Sequence, residues 1–243
     1  MICCRSSNKK PDLSGAIDLG AMNRRRFMRY GIGSAILAAV GVLTAYFLMR
    51  RPEPSSGTGR LPPGQSEVAA LQVLHVGGVP DIGSDKWAFE VDGEVETPVK
   101  LSWNEFLQLP KTIDVSDFDC VTGWTKLDNR WEGVRFKEIV KLAHPTVKAN
   151  YATIECYGDV AYTTSLPLED LLRDDVLFAY GLDGKPLEPK HGGPVRLIVP
   201  RKYAYKSAKW VKRVRFTETQ ELGFWESSGY SNTADPWTND RYA

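Results

Sequence analysis

An α+β fold with mixed β-sheets and short helices is predicted for residues 66–243, preceded by one N-terminal transmembrane helix. Three observations lead there. Segments of strand-like apolar alternation outnumber those with helical spacing, the helices are short, and they interrupt the strands irregularly. Strict strand–helix alternation would have indicated a doubly wound α/β fold instead.

Residues 1–29 form a basic segment, with seven Lys or Arg against two acids. Its end, Asn23-Arg24-Arg25-Arg26-Phe27-Met28-Arg29, resembles a twin-arginine export signal, with Asn23 in place of the usual Ser or Thr. Residues 30–49 carry no charge. At about 1.5 Å per residue, a helix of that length matches a hydrocarbon core of about 30 Å. Basic residues before the apolar run outnumber those just after it, so the N-terminus is expected in the cytoplasm and the large domain outside. No small-x-small cleavage site follows, and the run is read as a retained anchor in the cell membrane. Residues 50–65 hold nine Pro, Gly or Ser and read as a tether.

Within residues 66–243, Trp87, Phe89 and Val91 alternate with polar residues before Asp92-Gly93, a hairpin signal. Ser102-Trp103-Asn104-Glu105 has capping-box spacing for a short helix ending by Pro110. Ile113 and Val115 lead as a strand into Phe118-Asp119-Cys120-Val121. From Gly133 to Ala143, apolar residues at 136, 139, 140 and 143 are spaced for a helix. Strands are expected over 151–157, 160–165, 176–180, 195–199 and 208–216, with a short helix over 168–173. The last twenty residues read as irregular chain laid over the domain, and no internal repeat is present.

The chain has 243 residues, 42% of them hydrophobic and 25% charged, which excludes a disordered or collagen-like protein. Four cysteines without a C-x-x-C pair exclude a disulfide scaffold or a zinc finger. Net charge is +1 overall, yet residues 61–243 carry 21 bases against 27 acids, so nucleic acid is not an expected partner. Against that acidic background, residues 185–215 hold ten bases and one acid, Glu188, a pattern suited to an anionic ligand. The Gly31 and Gly33 pair lies in the apolar run without a preceding strand and is no dinucleotide fingerprint. His75, His144 and His191 are far apart in sequence, and haem bound by this chain alone has no support.

Cys120 ends a strand in a polar, turn-prone run, Asp117 to Trp124. Its thiol suits a nucleophile, a soft-metal ligand or an inert core residue. Arg196 sits in an otherwise apolar strand, His191-Gly-Gly-Pro-Val-Arg196-Leu-Ile-Val-Pro200, a costly place unless the guanidinium meets an anion. The basic turn after Pro200 offers side chains and amides together, as phosphate cradles do.

These blocks, Cys120-Val-x-x-Trp124, Trp131-x-Gly133, the His191–Pro200 run and Lys202-Tyr-x-x-Lys206-x-x-Lys209, resemble the molybdopterin-binding domain of the sulfite oxidase family. The closest likeness is to stand-alone bacterial members typified by the catalytic subunit of the periplasmic protein-methionine-sulfoxide reductase. The likeness covers about residues 70–240. It implies a molybdenum-molybdopterin cofactor with Cys120 as the protein's thiolate on the metal and His191 lining the pterin. It also implies a phosphate held by Arg196, Lys206, Ser207, Ala208 and Lys209, with Trp124 at the pocket mouth or in packing. Cys156 stands where the reductase relatives have a Thr near the cofactor, so it is either a cofactor neighbour or a core cysteine. No arginine follows Cys120 closely, which disfavours sulfite. The resemblance thus implies two-electron oxygen-atom transfer, in the direction of reducing an S-oxide or N-oxide. Electrons are expected from a separate membrane haem or quinol-linked protein, export through the twin-arginine translocase, and a monomeric catalytic module. Three other readings stand beside it: a sulfite-oxidising member of the family, a hydrolase or transferase using Cys120 and His191, and a non-catalytic binding module.

Overall fold

The structure, a computed structural model, describes residues 59–243. The basic segment 1–29, the apolar run 30–49 and the linker up to residue 58 lie outside the described residues. Among the described residues no helix is long and apolar enough to cross a membrane. The last part of the expected tether is fastened to the domain. Arg60 bridges Asp117 and Asp128, and the buried Gln65 donates from Nε2 to the Cys120 carbonyl at 3.0 Å.

Among the described residues eleven strands form two mixed sheets. One contains β1 (Ser66–Glu67), β4 (Lys111–Cys120), β5 (Trp124–Arg135), β8 (Leu177–Leu182), β9 (Lys185–Pro186) and β10 (Arg196–Ile198). Its spine runs β1-β5-β8-β10, with β4 against β5 and β9 against β8. The other runs β3 (Val99–Ser102), β2 (Ala88–Gly93), β11 (Val211–Thr217), β6 (Tyr151–Cys156), β7 (Thr163–Pro167). The β1–β5 and β2–β11 pairs are parallel and the rest antiparallel. Among the described residues three short α-helices, α1 (Trp103–Leu107), α2 (Phe136–Ala143) and α3 (Leu168–Leu171), interrupt them. This is the α+β class the sequence predicts.

Period-two alternation separates two cores across the first sheet. Phe178, Leu197 and Val199 join the main core with Phe89, Val91, Ile154 and Phe216 of the second sheet. Their neighbours Leu177, Ala179 and Ile198 face the opposite way, onto Phe118, Trp124 and Trp131. That smaller core is the bed on which Cys120 is mounted.

Local signals hold where they are self-contained. Ser102 caps α1, accepting from the Glu105 amide while the Glu105 carboxylate accepts from the Ser102 amide. The helix expected from Gly133 begins only at Phe136, because Gly133 still belongs to β5. A Cβ there would lie 2.1 Å from the Phe178 carbonyl oxygen, so only glycine lets the strands close. The stretch 124–132, unassigned in the sequence reading, is the long partner strand of β4. The strand expected from Ala208 starts at Val211, since Trp210 takes a φ of 55° and turns the chain.

Candidate active site

Cys120 is the last residue of β4 and Trp124 the first of β5, paired across a three-residue loop. Gly123, at φ 99°, closes the loop in a conformation that favours glycine. The Cys120 carbonyl accepts from the Gly123 amide at 3.0 Å as well as from Gln65, so the loop is held from both sides. The thiol sulfur lies 3.1 Å from the Thr122 hydroxyl oxygen. Trp124 is buried beside Phe118, with ring centroids 6.3 Å apart, and its indole N–H has no partner among the described residues.

Arg196 opens β10 on the face shared with Ile198, pointing at the Phe118 and Trp131 rings at 4.9 and 5.6 Å. It is 2% exposed. Its two terminal nitrogens donate to the carbonyls of His191 and Ser207, both at 2.9 Å, and its Nε has no acceptor. Burial lowers its pKa to about 10, which leaves it charged at neutrality. No carboxylate among the described residues pairs with it. A buried guanidinium satisfied only by neutral carbonyls leaves its charge uncompensated, and an anion can answer it.

Lys209 is a second cation without a carboxylate partner among the described residues, and it is partly buried. Its ammonium donates to the carbonyls of Leu74 and Lys190, each at 2.9 Å. Burial, and then the Arg196 charge, press its pKa down to about 7. His191 lies at the end of a 3₁₀ turn (Pro189–His191) and is likewise pushed down, first by burial and then by Lys209. The turn between them is tied: the Ser207 hydroxyl accepts from the Val199 amide, and the Ala208 carbonyl from the Leu197 amide. The amides of Ala208 and Lys209 enter none of the backbone hydrogen bonds among the described residues.

A cavity of about 330 Å³ joins these groups. Cys120, Trp124, His191, Arg196, Ser207, Ala208 and Lys209 all lie on its wall, so residues from opposite ends of the domain's sequence meet there. Two expected members do not. Lys206 is fully buried away from the wall, donating to Glu226, the Ser165 carbonyl and Asn232. Its three donors are spent, and it has none for a phosphate. Cys156 is off the wall as well, on β6 against the main core, where burial pushes its thiol well above the usual range.

The sequence reading missed much of the wall. Leu71, Leu74, His75 and Val76 come from an irregular segment that carries no strand or helix signal. Tyr162, Trp210, Trp225 and Tyr230 complete an aromatic side. Only the aromatic richness of the C-terminal tail hinted at the last two. His75 and His191 both reach the cavity, whereas His144 ends α2 with a φ of 52°. Among the described residues no three His, Cys, Asp or Glu side chains are grouped to hold a metal ion. A metal at Cys120 therefore has to bring most of its own ligands. No hydrogen bond joins His191 to Cys120 among the described residues, and a thiol nucleophile would need that base within reach.

One soft sulfur donor and two cations that pair with no carboxylate among the described residues line a cavity of ligand size, a set of groups suited to a metal carried by an anionic organic cofactor. The family profile described as oxidoreductase molybdopterin binding domain matches residues 76–225, and the chain belongs to that family. It is 40% identical over 189 residues to the uncharacterised oxidoreductase YuiH of Bacillus subtilis, covering 77% of this chain and 94% of that one. It is 25% identical over 229 residues to the protein-methionine-sulfoxide reductase catalytic subunit MsrP of Campylobacter jejuni, covering 84% and 76%. The sulfane dehydrogenase SoxCD of Paracoccus pantotrophus shares the fold, with a TM-score of 0.55 at 21% identity over 58% of this chain and 41% of that one. The protein is thus a molybdopterin-dependent oxidoreductase of the sulfite oxidase type, and its cofactor is molybdenum-molybdopterin. The unpartnered Arg196 Nε, the free amides at Ala208 and Lys209 and the lone thiol fit that group.

Proposed function

We propose that this chain is an exported, membrane-tethered enzyme that reduces an S-oxide or N-oxide, taking up two electrons and two protons and releasing the oxygen as water. The observation that carries the reading is that the loop after Cys120 brings no cation to the metal side of the cavity. Val121, Thr122 and Gly123 follow it, and Leu71, Tyr162, Trp210 and Trp225 add an apolar and aromatic part to the wall, while the cations Arg196 and Lys209 are taken up by the anionic end of the cofactor in this reading. A loop without bases suits a neutral, polarised oxide better than the sulfite dianion, which needs cations beside the metal. The name of the Campylobacter relative points the same way.

When bound, the molybdenum-pterin supplies two-electron oxygen-atom exchange. The chain's own part is to hold, orient and shield. Cys120 offers its thiolate to the metal, and the Gln65 and Gly123 bonds to its carbonyl fix where that sulfur sits. Arg196, Lys209 and the amides of Ala208 and Lys209 take the anionic end. The apolar side keeps water from competing with the oxide.

Electrons reach the site from a separate membrane haem or quinol-linked protein in this reading, and the catalytic module acts as a monomer. Export through the twin-arginine translocase and anchoring by residues 30–49 rest on the sequence. Replacing Arg24 and Arg25 together by Lys should hold folded protein in the cytoplasm; continued export would count against that route.

The decisive assay uses protein produced in a molybdenum-competent host, with one molybdenum per chain expected. Reduced viologen should then be oxidised on adding a sulfoxide or N-oxide. Sulfite oxidation without oxide reduction would overturn the proposed direction.

A further inference from the structure

We propose that Thr122 is a positioning residue whose hydroxyl donates a hydrogen bond to the metal-bound sulfur of Cys120 and raises the reduction potential of the site. The proposal rests on Cys120 being the thiolate ligand.

The two side-chain atoms are 3.1 Å apart, close for a contact involving sulfur. As a thiol and a hydroxyl, either could be the donor. Once the sulfur binds a metal it has given up its proton, and only the Thr122 hydroxyl can donate. Among the described residues that hydroxyl makes no other hydrogen bond. Its position is set twice over. The loop is pinned through the Cys120 carbonyl, and a β-branched side chain has restricted χ1 freedom.

A hydrogen bond to a ligating sulfur withdraws electron density that the sulfur would otherwise give to the metal. The lower oxidation state is stabilised relative to the higher one, and the potential rises. Thr122 is exposed on the cavity wall and supports no core contact, so replacing it changes the electronics without disturbing the packing.

The test uses holoenzyme of the wild type, Thr122→Val and Thr122→Ser, with molybdenum content measured first and a redox titration followed by electron paramagnetic resonance second. Valine keeps the branched shape and removes the donor; serine keeps the donor. Thr122→Val should load metal like the wild type and titrate lower, by about tenfold in the equilibrium constant of each one-electron step, about 59 mV. Thr122→Ser should titrate with the wild type. Coincident potentials for wild type and Thr122→Val, both loaded, would overturn the proposal, as would loss of metal in Thr122→Val alone, which would make the hydroxyl a loading device. Wild-type protein without molybdenum would instead remove the thiolate reading on which the proposal stands, an outcome distinct from the other two.

Discussion

The ammonium of Lys206 lies 2.5 Å from a carboxylate oxygen of Glu226, and neither side chain is more than 1% exposed. The same carboxylate oxygen accepts from the Thr164 hydroxyl at 2.7 Å, and Lys206 also donates to the Ser165 carbonyl at 3.1 Å. This cluster rivets three pieces of chain together: the basic turn, strand β7 and the C-terminal tail that brings Trp225 and Tyr230 to the cavity wall. Burial alone would depress the lysine, and the Glu226 charge opposes that shift.

Removing one partner of such a pair strands the other charge in the core. Lys206→Met should therefore cost about 3–5 kcal/mol, whereas Lys206→Met combined with Glu226→Leu should recover most of it. Urea denaturation of the two variants checks this. Equal loss in both would mean that the rivet acts through packing alone.

Arg196 spans two carbonyls with one planar fork, which a lysine cannot reproduce. Arg196→Lys should lose a charge-assisted bond worth about 1.5–3 kcal/mol, tenfold or more in cofactor affinity. Molybdenum per chain after dialysis is the measurement. Unchanged occupancy would mean that the anion is held elsewhere.

Lys209 gives the cofactor-free chain a pH signature. Its folded pKa of about 7 lies below the ordinary 10.5, so between those values the unfolded chain holds a proton that the folded chain lacks. Stability of the cofactor-free form should then rise as pH climbs from about 7 toward 10.5, and should lack this slope below 7. Lys209→Met should flatten the rise, and a bound anion should weaken it by keeping the lysine charged. Denaturation midpoints taken across pH 6 to 10 decide the matter.

Gly192 holds a φ of 109°, and a Cβ there would meet Arg196 Cβ and Lys209 Cγ at 3.0 Å. Gly192→Ala combines backbone strain of about 1–3 kcal/mol with displacement of both cavity cations. A lower thermal midpoint together with reduced molybdenum content is expected. A lower midpoint with full metal loading would separate the strain from the site.

Much of the fold was legible because its signals are local. The capping box at Ser102, the alternation through Trp87, Phe89 and Val91, and the apolar spacing from Phe136 to Ala143 each depend on residues a few positions apart. The site was legible in its chemistry: a cysteine in a polar turn, an arginine in an apolar strand and a run of bases name a soft donor and an anion cradle. The strand over 124–132 escaped because its polar residues show no clean alternation, and its pairing with β4 and β8 supplies what propensity does not.

What the sequence determined by itself was the class of fold, the thiol and the cationic segment. Which cations remain free was decided only by the folded chain. Lys206 and Lys209 stand three positions apart in one turn, yet the first is saturated by Glu226, 20 residues downstream, while the second reaches Leu74, 135 residues upstream, and opens on the cavity. A charge is a property of one residue, but its compensation depends on what long-range packing sets beside it, and no short stretch of sequence carries that information.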